Sequence, residues 1–132
     1  GAASNNRLDM FGEMRAAALL AKVSTEDATS LPAHIALEMA TIHGANALGL
    51  EEKIGSLEPG KYADVVAVSL NEFNTLPVND PISHVVYAAN SSQVNHVWIG
   101  GKSVMRDGSL LTLEKTKIME SALFWQGKFE QK

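Results

Sequence analysis

No cysteine occurs among the 132 residues. That excludes a disulfide framework and any thiolate metal site. It suits a reducing compartment, and the cytoplasm is the expected location. No apolar run approaches the roughly 20 residues that a helix needs to span a bilayer, so no membrane partner is expected. The first residues carry no signal-peptide pattern, and Gly1 in place of Met points to processing, truncation or a tag scar. Basic residues are the minority, 11 against 15 acidic ones, for a formal net charge of −4. The basic face of a nucleic-acid binder is therefore lacking, and no nucleic-acid partner is expected. Internal repeats and low-complexity tracts are absent too. What is present is an apolar fraction of 45%, which argues against disorder throughout. The length suits one domain with one core.

The most informative stretch is 54–68, Ile-Gly-Ser-Leu-Glu-Pro-Gly-Lys-Tyr-Ala-Asp-Val-Val-Ala-Val. Pro59 presets φ near −65°, and Gly60 accepts the positive φ that a type II turn needs next. The turn should join a short strand at 54–57 to a strand at 62–70. The unbroken run Val65, Val66, Ala67, Val68 marks that second strand as central and buried.

Ahead of it, Leu8, Phe11, Met14, Ala18 and Ala21 recur at helical spacing and predict an amphipathic helix over 7–23. Asn5 or Asn6 would cap it, with Asp9 in the first turn. Glu13, Arg15 and Lys22 fall off the stripe and read as a solvated face. Pro32 opens a second helix with an apolar stripe of Ile35, Met39 and Ile42. Ala33, Ala36 and Ala40 thin its other side for close approach. Gly44 should break that helix, and a turn at 45–48 should follow, stopped by Gly49. Further on, Asp80-Pro81 marks a helix start with Ile82, Val85 and Val86 facing inward. Residues 93–112 read as a three-stranded meander turning at Gly100-Gly101 and Asp107-Gly108. Thr112 can cap a last helix on which Ile118, Ala122, Trp125 and Phe129 form a packing stripe. Cofactor stacking by Trp125 is the rival use of that ring. Segregated helices and strands of this kind make the chain α+β, or parts of two domains. The first helix has no evident partner within the chain, and the strand edges need covering.

Chemistry is sparse. His34, His43, His84 and His96 show neither His-x-His nor His-Glu-x-x-His spacing. A zinc site needs about three or four converging ligands, so each reads as a satisfied or exposed side chain. His96 would line the sheet face, and His43 would cap the short helix. Asp64 reads as a carboxylate that stabilises a turn through backbone N–H groups. Nucleophile-elbow and phosphate-loop patterns are missing. No residue is assigned as catalytic or as a metal ligand.

Four stretches, taken together, resemble the amidohydrolase superfamily. The opening fifteen residues, from Gly1-Ala2-Ala3-Ser4-Asn5-Asn6-Arg7 through Glu13-Met14-Arg15, resemble the loop and helix after the eighth barrel strand in its methylthioadenosine/S-adenosylhomocysteine deaminase branch. Ala40-Thr41-Ile42-His43-Gly44-Ala45-Asn46-Ala47-Leu48-Gly49 is similar to a superfamily segment, as is 54–68. Val94-Asn95-His96-Val97-Trp98-Ile99-Gly100-Gly101-Lys102 is similar to the strand pair closing the family's small sheet. The resemblance implies an α/β parent, a (β/α)8 metal-dependent hydrolase barrel plus a small β-sandwich. Residues 1–50 would be the barrel's C-terminal end and 51–132 the small composite domain with flanking helices. The parent would use a divalent metal, zinc, to activate water for hydrolytic deamination of an adenosine-type thioether nucleoside, releasing ammonia. The resemblance places the metal ligands outside this chain, with one Asp directly before the residue matching Gly1. It brings only Ser4, Asn5 and Asn6 near the substrate mouth, at the end of the barrel where such enzymes keep their sites. Helix capping is the other use of the two asparagines. The partners implied are the N-terminal barrel portion and a purine nucleoside, with a homo-oligomer as a further expectation, and the chain alone should be inactive. Two rivals stand beside this. One is another branch of the superfamily, a guanine or cytosine deaminase or an s-triazine chlorohydrolase. The other is a stand-alone oligomerising module without chemistry.

Overall fold

A computed structural model describes residues 6–130. Among these the order is α1 (Met10–Thr25), α2 (Ala33–Ala40), α3 (Ile42–Ala47), β1 (Val65–Val68), α4 (Pro81–Tyr87), a 3-10 turn (Ser91–Gln93), β2 (Val94–Ile99), β3 (Lys102–Arg106), β4 (Ser109–Leu110) and α5 (Lys115–Phe129). The chain is α+β, a helical layer plus one antiparallel sheet in the order β1-β2-β3-β4.

The cap of α1 is Asp9, whose carboxylate accepts the Gly12 N–H at 3.3 Å. Asn5 lies outside the described residues. Asn6 cannot serve as the cap, because it sits at φ 59, whereas an N-cap takes extended backbone such as the φ of −138 at Asp9. The first helix does have partners in this chain. Met14 and Ala18 are buried with Ala33, Ala36 and Val86, and Phe11, Leu37 and Val85 close around them. On α2 the alanine face is the buried one, while Met39 of the expected stripe is largely exposed. Small side chains let α2 lie close to both α1 and α4, and helix separation follows side-chain size. Two cations expected in solvent are instead tied down. Arg15 Nη2 donates to the Ala89 carbonyl at 2.5 Å, and Lys22 Nζ to the Ser30 and Leu31 carbonyls at 2.5 and 3.1 Å.

The break between α2 and α3 falls at Thr41, not at Gly44. Thr41 has φ −125 and ψ −98, and its hydroxyl donates to the Leu37 carbonyl at 2.8 Å. Such back-bonding competes with the helix ladder. Gly44 lies inside α3, where a Cβ would come within 3.1 Å of the Met39 carbonyl oxygen.

The turn at 58–61 forms as expected, with Lys61 N–H donating to Glu58 C=O at 3.2 Å and Gly60 at φ 99. Its arms do not form a strand pair. Residues 54–57 are not a strand because Gly55, at φ 92, lies against α3: an added Cβ would sit 2.7 Å from Ala45 Cβ and 2.9 Å from Ile42 Cα. The strand after the turn covers only Val65–Val68 and pairs with β2, through Val65↔Trp98 and Ala67↔His96. Among the described residues it lies at the sheet's edge rather than its centre, and Val66 is 56% exposed. The meander β2-β3-β4 turns where expected. Gly100 and Gly101 have φ 55 and 76, and Asp107 and Gly108 have 48 and 72. Two successive positive values make the tight turn that matches strand twist.

Asp80 caps α4 with Pro81 behind it, accepting from Ile82 N–H at 3.1 Å and from the Ser83 hydroxyl at 2.5 Å. Val86 is fully buried from this helix, while Ile82 stays partly exposed. The cap of α5 is Glu114 rather than Thr112, and the expected packing stripe on α5 buries no residue.

Gly55→Ala should lower stability by roughly 3 kcal/mol, since strain at a positive φ adds to a backbone clash. A shift of the urea midpoint measures it; an unchanged midpoint would show that the segment relaxes away from α3. The Ser83 hydroxyl, then the Ile82 amide, hold the Asp80 carboxyl below its ordinary 3.8. A carboxyl with a depressed folded value stabilises above its unfolded value and loses that contribution as pH falls through the folded one. Acid titration below about pH 4 should therefore loosen α4, and Asp80→Asn should flatten that part of the helix signal against pH.

Candidate functional site

Of the three residues expected at a substrate mouth, Ser4 and Asn5 lie outside the described residues. Asn6 is exposed, in the loop before α1. Just after it, Arg7 Nη2 pairs with Asp9 Oδ2 at 3.3 Å.

The histidines stay apart. His34 is exposed on α2. His43 lies within α3 rather than capping it, and its Nε2 stands 3.8 Å from Glu38. The His84 ring nitrogens face the Asp80 and Pro77 carbonyl oxygens at 2.7 and 3.1 Å. His96 stacks on Trp98 at 5.6 Å, with Nε2 3.6 Å from Asp107. No three His, Cys, Asp or Glu side chains converge among the described residues. As donors, then, these residues do not fit a zinc site.

Asp64 does the backbone work expected of it. Its Oδ1 accepts the Gly100 N–H at 2.7 Å, while the Ala63 carbonyl accepts the Gly101 N–H at 3.0 Å. The pair of contacts pins the β2–β3 turn beside the start of β1.

A cavity of about 450 Å³ separates the helical layer from β1, walled by Phe11, Met14 and Leu37 on one side and Val65 and Val68 on the other. Asp64 reaches its wall as well, already committed to Gly100. Thr41 and Ser56 are the other polar members of an otherwise apolar lining, so the space suits hydrocarbon side chains.

Sequence reasoning missed the Gln93 network. Gln93 is buried; its Oε1 accepts from Asn90 N–H and Asn74 Nδ2, both at 3.1 Å, and its Nε2 donates to the Ser69 carbonyl at 2.9 Å. Thr75, also buried, donates to the Leu70 carbonyl at 2.8 Å. A signal was present, since Asn90-Ser91-Ser92-Gln93 has the spacing of a capping box. Both halves of that box form here.

Residues 1–104 match the model of the amidohydrolase family, and the chain belongs to that family. Its relatives are more specific. Over all 132 residues it is 46% identical to a 5-methylthioadenosine/S-adenosylhomocysteine deaminase of Teredinibacter turnerae, of which it covers 30%. A protein of the same name from Moorella thermoacetica is 51% identical over 118 residues, 89% of this chain and 28% of that protein. Among solved structures, an adenosine deaminase from Xanthomonas campestris with bound zinc matches the whole chain at a TM-score of 0.97 and 42% identity, over 30% of its own length. An atrazine chlorohydrolase from Arthrobacter aurescens complexed with zinc matches 92% of this chain at 0.84 and 26%, over 27% of its own length. The chain thus spans about 30% of the length of the relatives it matches.

Asp64→Ala should lower stability by about 1 kcal/mol, the net worth of a partly exposed hydrogen bond, and speed amide exchange at Gly100. Asp64→Asn keeps an acceptor and should recover most of it. Equal exchange at Gly100 in all three proteins would remove the structural role.

Proposed function

We propose that this chain is the C-terminal part of a metal-dependent aminohydrolase that deaminates an adenosine-type thioether nucleoside, methylthioadenosine or S-adenosylhomocysteine. The observation that carries this is the 46% identity, across every residue of the chain, to a relative named for that activity. The 26% identity to the atrazine chlorohydrolase supports the triazine reading less. In the proposed parent, residues 1–50 complete a (β/α)8 barrel, and 51–132 supply most of a small β-sandwich. The N-terminal barrel portion is the partner, and the location is the cytoplasm. Ser4, Asn5 and Asn6 border the substrate mouth.

A divalent metal, zinc in the solved relatives named above, would supply activated water in the parent. The described donor set of this chain does not fit that ion, so its ligands belong to other parts of the parent. What the described residues do is structural: Arg15 and Met14 fix α1 against α2 and α4.

The test follows ammonia release from methylthioadenosine and S-adenosylhomocysteine, with zinc present. The 132-residue chain should show no turnover, and the longer protein that carries it should be active. Turnover by the short chain refutes the division of labour. Dechlorination of a triazine by the longer protein, without deamination, selects the other branch.

A further inference from the structure

Helix α5 has no core beneath it among the described residues. Ile118, Trp125 and Phe129 share one face and are 48, 54 and 73% exposed. No residue of the helix is buried, and Glu114 supplies no side-chain cap. Unpacked helices of about 15 residues are marginal in water. Thr116, Phe124, Trp125 and Gly127 also rank low as helix formers. The sequence of α5 therefore calls for a surface to lie on.

The described residues do not supply that surface, yet the helix keeps a fixed place. The zinc-bound Xanthomonas campestris structure matches the whole chain at a TM-score of 0.97, and the chain covers 30% of it. A likeness that close includes the 15 residues of α5. The helix thus holds the same position in a polypeptide more than three times as long. Its link from β4 spans only residues 111–114, so α5 stays beside the sheet. Protein tethered in the same chain meets such a face at an effective concentration on the order of millimolar. A separate molecule rarely reaches that level. Tethering therefore favours the rest of the polypeptide over a second copy.

We propose that the face of α5 that carries Ile118, Trp125 and Phe129 docks on an apolar surface supplied by the rest of the same polypeptide. Trp125 is its anchor, because large aromatic side chains dominate contacts of this kind. The inference rests on the chain being part of a longer protein, and not on the reaction which that protein performs.

Amide exchange across Lys115–Phe129 tests it, read by mass spectrometry on the 132-residue chain and on the longer protein that carries it. Exchange there should be at least tenfold slower in the longer protein. Trp125→Glu in the longer protein should remove that protection and leave the sedimentation mass unchanged, while Trp125→Phe should keep it. Phe129→Ala, a milder change on the same face, should remove part of it if Trp125→Glu fails to fold. Equal exchange in the two proteins overturns the proposal. So does protection that the Trp125→Glu and Phe129→Ala variants leave intact. Protection that disappears on dilution as the mass halves overturns it too, by making a second copy the occupant. The ammonia assay is read separately. A protected α5 in a longer protein without deaminase activity keeps this proposal and removes the deaminase reading.

Discussion

The buried amide of Gln93 is what the junction between helices and sheet depends on. A buried polar group left unpaired costs about 1–3 kcal/mol, whereas a satisfied one rigidifies its surroundings. Here both ends of the amide are occupied, by Asn90 and Asn74 on the oxygen and by Ser69 on the nitrogen. Those partners come from the end of α4, the 69–75 loop and the exit of β1. The Gln93 carbonyl adds to this by accepting the Ser69 N–H at 2.8 Å. One side chain thus joins the end of α4 to the loop that leaves β1. Asn74 reaches from the same cluster to the Ala88 carbonyl at 3.3 Å, and Arg15 takes the next one, Ala89. The C-terminal end of α4 is held from both sides, and through Arg15 the orientation of α1 is tied to it.

That polar junction matters because the apolar core is slight. Its buried members are mostly alanines, with Met14 and Val86 the large exceptions. Each buried methylene contributes about 0.8 kcal/mol, so alanines bring the helices close without adding much of their own. Meanwhile Leu8, Leu20 and Val23 are more than 60% exposed around α1. Exposed apolar faces on this scale mark surfaces that meet other protein. The chain covers about 30% of its relatives' length, and an apolar cavity lies beside β1.

Local chemistry was legible in the sequence wherever a single residue dictates backbone. Pro59-Gly60, Asp80-Pro81, Gly100-Gly101 and Asp107-Gly108 all turn or cap as their dihedral preferences require. Asp64 was also legible, because a carboxylate beside a tight turn finds backbone N–H groups. What misled was apolar pattern read without its partner. The Val65–Val68 run looked central, yet its second neighbour is not among the described residues. Ile35 and Met39 outweigh alanines on any hydrophobicity scale, yet close packing selected the alanines. Gly44 looked like the helix breaker, but its missing side chain serves a close approach, and the hydroxyl of Thr41 makes the break. Of the candidate site, Asn6 alone falls among the described residues.

The polar groups that could do chemistry are here given to holding backbone. Asp9 and Asp80 cap helices, Asp64 fixes a turn, the His84 ring sits between two carbonyls, and Gln93 closes the junction. A catalytic group must keep a lone pair or a proton for substrate, so a carboxylate engaged by an amide at 2.7 Å is poorly placed for transfer. Such an allocation suits a part that sets the position of a site whose reactive atoms come from elsewhere. Precision in such a site is a matter of fractions of an ångström, and it is inherited from the rigidity of the elements beneath it. The ties from Gln93 to α4, and from α4 through Arg15 to α1, are the route by which these elements share that rigidity.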